Sequence, residues 1–152
     1  MLKQSGDTVL LVEDEEAAIQ LVQQAVASCP GDLHLAVVPN SVAALDWLTV
    51  ETEHGHPVPR LILIDLKLPK LIGLAVLRTL RMDERLQSVP IVVYSQIHEP
   101  TDVVLSYQVG ANSFVNKPEN LPEFSQLLHE LLGLGREGEV GISRSLQQPV
   151  TQ

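Results

Sequence analysis

The chain has 152 residues, of which 45% are hydrophobic, and this is enough for one compact domain with its own core. Its formal charge of -9 repels a phosphate backbone and argues against a nucleic-acid-binding protein. The single cysteine excludes an intrachain disulfide, and no apolar run approaches a membrane span or a signal sequence. We therefore expect a cytoplasmic protein that binds neither nucleic acid nor membrane.

Short apolar runs alternate with stretches of helical period, a pattern typical of an α/β protein with a parallel sheet. The sequence predicts strands over residues 8–12, 33–38, 61–65, 91–94 and 113–116. The third run is almost purely aliphatic, as expected for a strand that is covered on both faces. We therefore place it at the centre of the sheet.

Helices are predicted between these strands and after the last one. Apolar residues recur at helical spacing from Ala18 to Cys29 and from Phe124 to Leu132, and further helices are expected over residues 42–50, 73–82 and 101–109. The last helix also has an N-cap signal at Asn120 and a glycine, Gly133, after its final leucine.

The apolar period ends near Leu134. We predict one domain over residues 7–134 and a tail over residues 135–152, which is too short and polar for a second core. This tail is either disordered or an arm that binds a partner.

Polar side chains stand where the predicted strands end. They are Glu13 and Asp14 after the first strand, Asp65 at the end of the third, Ser95 after the fourth, and Lys117 after the fifth. The carboxyl ends of parallel strands share one edge of the sheet, where ligands bind at a topological switch point. We expect these residues to form one pocket.

Carboxylates gathered in one pocket repel each other by roughly 3 kcal/mol per pair at ~5 Å and an effective dielectric constant near ~20, so they need a cation. Ligand sets made only of oxygen suit Mg²⁺, which keeps positions open for phosphoryl oxygens. A lysine and a hydroxyl beside it would bind the same oxygens. The set predicts phosphoryl transfer with Asp65 as the nucleophile.

Each residue taken singly has an ordinary explanation. Acidic residues such as Glu13 and Asp14 are favourable at a helix N-terminus, and Lys117 with Pro118 is compatible with a plain turn. Asp65 is harder to explain, because an unpaired carboxylate at the end of a buried strand is costly. The joint placement at four strand ends favours the functional interpretation.

Four segments carry a family resemblance. They are residues 11–15 (LVEDE), 64–69 (IDLKLP) followed by Gly73, 89–95 (VPIVVYS) and 110–118 (GANSFVNKP). With them the sequence, from residue 9 to about 132, resembles the response-regulator receiver family. This resemblance implies an α/β flavodoxin-like fold: a five-stranded parallel sheet in the order 2-1-3-4-5 with helices on both faces.

The resemblance also implies a mechanism. Asp65 would accept a phosphoryl group from a sensor histidine kinase, with Mg²⁺ bound by Asp14, Asp65 and the Lys67 backbone carbonyl and, through water, by Glu13. The protein would then be a phosphoacceptor in signalling and not a metabolic enzyme.

The same resemblance assigns contacts and a switch around the phosphoryl group. Ser95 and Lys117 would contact it, and Phe114 would change rotamer with it. These movements would remodel the face made by the fourth helix, fifth strand and fifth helix.

Within the family, the sequence is most like the small single-domain regulators that are partnered with bacterial phytochrome kinases. The lysine-containing segment 66–70, the long loop before Arg60 and the absence of an output domain carry this narrower resemblance. Such relatives often form homodimers through the last helix and tail. Phe124, Leu128 and Leu132 would offer apolar surface if part of their stripe is exposed.

Three positions depart from the family pattern. Ile72 stands where relatives are often acidic, Gln96 where a small residue is usual, and Phe114 where tyrosine is commoner. We expect Gln96 to alter the rate at which the acyl phosphate forms or hydrolyses.

Three rival functions remain open to test. The first is a pseudo-receiver that binds partners without phosphorylation, and retention of the acidic residues and Lys117 argues against it. An aspartyl phosphatase would need a general acid two residues after its nucleophile, where this chain has Lys67. A flavin or nucleotide binder would need a glycine-rich first loop, where this chain has residues Glu13 to Glu16.

Overall fold

Five parallel strands form one sheet in the order β2-β1-β3-β4-β5. The computed structural model describes residues 8–66, 70–96 and 99–133. The strands are β1 (Thr8–Val12), β2 (His34–Val38), β3 (Leu61–Asp65), β4 (Ile91–Ser95) and β5 (Ser113–Asn116). All four strand pairs are parallel. The predicted strand order and the central position of the third strand are confirmed.

Five α-helices connect or follow the strands within the described residues. They are α1 (Glu16–Ala27), α2 (Ser41–Glu53), α3 (Lys70–Arg81), α4 (Pro100–Val109) and α5 (Leu121–Leu132), with a short 3-10 helix at Glu84–Leu86 after α3. The N-cap expected for α5 is confirmed, because Asn120 Oδ1 accepts a hydrogen bond from the Glu123 amide at 2.9 Å. Gly133 ends this helix in a left-handed conformation at φ 67°.

Some predicted boundaries were wrong. β2 begins at His34 and not at Leu33, and β4 continues to Ser95, which pairs with Asn116 and so extends the ladder by one residue. α2 runs one turn beyond residue 50, to Glu53.

α3 begins at Lys70, ahead of the predicted start at Gly73. Gly73 therefore lies inside the helix, at a point where the helix passes close to the end of β3. A Cβ at this position would lie 2.6 Å from Leu66 Cδ1 and 3.2 Å from Leu66 Cα. The glycine therefore permits the close approach of α3 to Asp65.

The sheet is covered on both faces, as expected. Alternate residues of β3 point to opposite sides, so that Ile62 and Ile64 join a cluster with α2, α3 and α4, while Leu61 and Leu63 join a cluster with α1 and α5. Every residue of β3 is buried. The fold thus holds Asp65 at the end of its most enclosed strand.

The condition on which the apolar stripe of α5 would offer a dimer surface, partial exposure, is not met by the three residues named for it. Phe124 and Leu128 are 0% exposed and Leu132 is 7% exposed, because this stripe packs on the sheet and against α1. It offers no surface to a second copy of the chain. The predicted tail lies outside the described residues.

Within the described residues, none of the helices combines the length and the apolar character that crossing a bilayer requires.

Candidate functional site

Asp65 and Lys117 meet at the carboxyl edge of the sheet. Asp65 ends β3 and its side chain is 3% exposed, while Lys117 follows β5 and reaches back across β4. Lys117 Nζ donates a hydrogen bond to Asp65 Oδ2 at 2.8 Å. The Lys117 amide also donates to the Ser95 carbonyl at 3.0 Å, which fixes the loop that carries the lysine.

Glu13, directly after β1, is a buried carboxylate with several donors. Its Oε2 atom accepts the backbone amides of Asp14 and Glu15, each at 3.2 Å. Its Oε1 atom accepts the Tyr94 hydroxyl at 3.3 Å. Only 3% of Glu13 is exposed, so these donors replace the water that the carboxylate loses on folding.

Three carboxyl groups converge at this edge. Oxygen atoms of Glu13, Glu15 and Asp65 lie within 4.8 Å of one another. Glu15 was not among the predicted site residues, although it stands in the same acidic loop and lies 3.5 Å from Lys117 Nζ. A third acidic residue at this strand end was the signal that could have identified it.

Asp14 has a different position from Glu13 and Glu15. Its side chain is exposed, and it borders a pocket of about 70 Å³ together with Glu13, Asp65, Ile72 and Gly73. Asp14 and Asp65 therefore face the same small pocket. The Lys67 carbonyl, the other predicted ligand, lies outside the described residues.

Burial and neighbouring charges shift the pKa values of Asp65 and Lys117. Burial raises the pKa of Asp65 to about 6, together with the hydrogen bond and charge of Glu13, and Lys117 opposes this rise. Burial lowers the pKa of Lys117, but Asp65, Glu13 and Glu15 outweigh burial and the net pKa is raised. Lys117 is therefore an ammonium at neutral pH.

The raised pKa of Asp65 predicts a pH-dependent instability of the metal-free protein. Between the ordinary value of 3.8 and about 6, the folded protein keeps a proton that the unfolded chain has lost, so stability falls as the pH rises through this window. Asp65→Asn should therefore raise the free energy of unfolding by about 1–3 kcal/mol at about pH 7.5. Urea unfolding in a chelator measures this gain.

At about pH 3, below both pKa values, the folded and unfolded chains both carry the proton and the gain should almost vanish. Excess Mg²⁺ at neutral pH should also reduce it, because a bound cation stabilises only the charged wild type. An equal gain at both pH values would contradict this explanation.

The other predicted residues lie at or behind the same edge. Ser95 is 1% exposed at the end of β4, and Gln96, which follows it, is exposed. Phe114 in β5 is 0% exposed, and its amide donates to the Tyr107 hydroxyl of α4 at 3.3 Å. A rotamer change of Phe114 would thus act on the packing of α4.

Comparison with known proteins decides the family. The family description "Response regulator receiver domain" matches residues 9–129. The chain belongs to the response regulator receiver family. The matched span contains every described residue of the candidate site, and the α/β sheet order is that of the family.

Two individual proteins, a response regulator and a regulatory protein, are similar to the chain over most of its length. Response regulator Rcp1 of Synechocystis sp. is 34% identical over 121 residues, which are 79% of this chain and 82% of Rcp1. The probable methanogenesis regulatory protein FilR2 of Methanothrix harundinacea is 31% identical over 81% of this chain and 79% of its own length. Both are matched over most of their length.

Solved receiver structures are also similar. The Mn²⁺-bound form of Rcp1 superposes with a TM-score of 0.69 at 31% identity, covering 88% of this chain and 97% of Rcp1. The phosphorylated cyanobacterial phytochrome response regulator RcpA gives a TM-score of 0.70 at 31% identity, covering 86% and 96%. The narrower resemblance to phytochrome response regulators is confirmed.

Proposed function

We propose that this protein is a single-domain response regulator that accepts a phosphoryl group on Asp65, with Mg²⁺, from a sensor histidine kinase in the cytoplasm. The observation that carries the proposal is the Asp65 carboxylate, buried at the end of β3, 2.8 Å from Lys117 Nζ and within 4.8 Å of the Glu13 and Glu15 carboxyl oxygens. Membership of the receiver family supports the same chemistry.

The residues present fit a hard divalent cation. The donors are carboxylate oxygens of Glu13, Glu15 and Asp65 that lie within 4.8 Å of one another. Burial, together with the hydrogen bond and charge of Glu13, raises the pKa of Asp65, which supports a need for more positive charge than Lys117 supplies. Asp14 and Asp65 would bind the ion directly, with Glu13 acting through water and Lys67 through its carbonyl. The similarity to Rcp1, which has a Mn²⁺-bound form, supports a divalent ion, and Mg²⁺ is our assignment.

Phosphoryl transfer needs one nucleophile and compensation for its charge. An Asp65 oxygen attacks the phosphorus of the kinase phosphohistidine, an acyl phosphate bond forms, and the phosphorus–nitrogen bond breaks with its electron pair left on the histidine. A bound divalent cation would supply positive charge to the phosphoryl oxygens. Lys117, 2.8 Å from Asp65 Oδ2, would supply a second positive charge, and the Ser95 hydroxyl would donate to the attached group.

The output would follow from the residues behind the site. Ser95 turning toward the phosphoryl group would open space for Phe114, whose amide already contacts Tyr107 of α4. The face formed by α4, β5 and α5 would change and with it the binding of a partner or of a second copy. Because the apolar stripe of α5 is buried, a homodimer would have to use other residues of this face or the tail.

Metal dependence tests the proposal. Acetyl phosphate with Mg²⁺ should add one phosphoryl group to the intact protein, and chelation of the metal should reduce incorporation to background. Intact mass spectrometry measures the addition, and loss of the group in hydroxylamine identifies it as an acyl phosphate. An unchanged mass under all conditions would favour the pseudo-receiver.

A phytochrome histidine kinase is our proposed donor, because the chain is similar to the phytochrome response regulator RcpA. Phosphotransfer from a panel of purified kinases should be fastest from a phytochrome. Faster transfer from kinases without a phytochrome sensor would contradict this assignment while leaving the phosphoacceptor role intact.

A further inference from the structure

Tyr94 is a polar residue in the aliphatic interior of β4. It is 0% exposed, and the residues before it in the strand are Ile91, Val92 and Val93. Its ring packs edge-on against Phe124 of α5, with centroids 5.7 Å apart and planes at 84°. A phenylalanine would fill this space equally well, so the packing does not explain the hydroxyl.

The hydroxyl of Tyr94 reaches the acidic cluster. It donates to Glu13 Oε1 at 3.3 Å, across β3, while the backbone amides of Asp14 and Glu15 hold Oε2. Both oxygens of this buried carboxylate are thereby oriented. The bond is long for two oxygens, so we expect its loss to have a modest effect on the orientation of Glu13.

The ring of Tyr94 also contacts the cation of the site. Lys117 Nζ lies 5.5 Å from the ring centroid, within the range of a cation–π interaction. The lysine is thus bordered by Asp65 at 2.8 Å, Glu15 at 3.5 Å and the aromatic face. The Tyr94 side chain therefore contacts both Glu13 and Lys117.

The backbone of Tyr94 reinforces this placement. Tyr94 lies beside Asp65 in the β3–β4 register, and its carbonyl accepts the Leu66 amide at 2.7 Å. The backbones of Asp65 and Tyr94 are therefore held side by side by the same strand pair.

We propose that Tyr94 is a positioning residue, whose hydroxyl orients Glu13 for divalent-cation binding and whose ring orients Lys117. This inference rests on the proposed function only in that a divalent cation binds at Asp65. Glu13 would act on the cation and Lys117 on the phosphoryl group. Tyr94 would act on both only through these two residues.

The test measures Mn²⁺ binding to the full-length protein by the loss of the free-ion EPR signal, without any phosphodonor. Tyr94→Phe removes the hydroxyl and keeps the ring, and it should weaken Mn²⁺ binding roughly 10-fold, at the low end for a partner that orients a metal-binding residue. Ser106→Ala is the control, because it removes a buried hydroxyl on α4 that has no hydrogen-bond partner within the described residues.

A second variant separates the ring from the hydroxyl. At saturating Mg²⁺, Tyr94→Phe should be phosphorylated by acetyl phosphate at nearly the wild-type maximal rate, whereas Tyr94→Leu, which loses the aromatic face under Lys117, should be slower. A purely structural role would lower the thermal midpoint of both variants and leave Mn²⁺ affinity unchanged.

The outcomes distinguish the two proposals. If wild type binds no Mn²⁺, the proposed function fails. If wild type binds Mn²⁺ and Tyr94→Phe binds it equally well, Tyr94 has no positioning role and the proposed function stands.

Discussion

Asp65→Asn should abolish incorporation of a phosphoryl group from acetyl phosphate. The amide has no anionic oxygen to attack phosphorus, and no other described carboxyl group combines burial at a strand end with a lysine at 2.8 Å. Intact mass should show one added group on wild type and none on the variant after equal incubation with Mg²⁺. Asn nearly preserves the shape of the side chain, so the fold should persist.

Asp46→Asn is the matched control for this experiment. Asp46 is exposed on α2, away from the strand ends, and its substitution makes the same chemical change. It should be phosphorylated at the wild-type rate. Full incorporation of a phosphoryl group into Asp65→Asn would show that another residue is the acceptor and would refute the assignment of Asp65.

Lys117→Gln should slow phosphorylation by about 10²–10³-fold, the usual cost of removing one group that stabilises developing charge. The same variant should bind Mn²⁺ at least as tightly as wild type, because the ammonium that competes for Asp65 Oδ2 is gone. Opposite directions for rate and affinity are not expected from general damage to the fold. Phosphorylation is followed by mass spectrometry and binding by EPR.

Arg78→Gln serves as the control for charge loss. Arg78 is exposed on α3, and its removal changes the net charge of the protein by the same amount. It should leave both the rate and the affinity near their wild-type values. If Lys117→Gln lost phosphorylation and Mn²⁺ binding together, its role would be to hold the pocket in shape and not to stabilise the transferred group.

Much of the fold could be predicted because the signals are local. The aliphatic run of β3, the caps of α5 and the alternation of strands with helices follow from residue periods and backbone chemistry. Gly73 misled the prediction of α3, because a glycine often marks a boundary. Here its reason is a non-local contact with Leu66, which no sequence period reveals.

The site was predictable in outline and not in its contacts. Strand ends identified Glu13, Asp65 and Lys117, which the structure brings together, whereas Asp14 faces the pocket from an exposed position. Glu15 and Tyr94 were missed. Tyr94 reads as a core aromatic in sequence, and only its reach across β3 to Glu13 reveals its polar contact.

The sequence by itself determined the order of elements and the residues that stand at the strand ends, because both depend on neighbours along the chain. Only the tertiary structure decided which of these groups touch, how deeply Asp65 is buried, and that the apolar stripe of α5 is core and not surface. The physical reason is that burial and charge coupling depend on distances between segments far apart in sequence. Residue identity alone does not fix those distances.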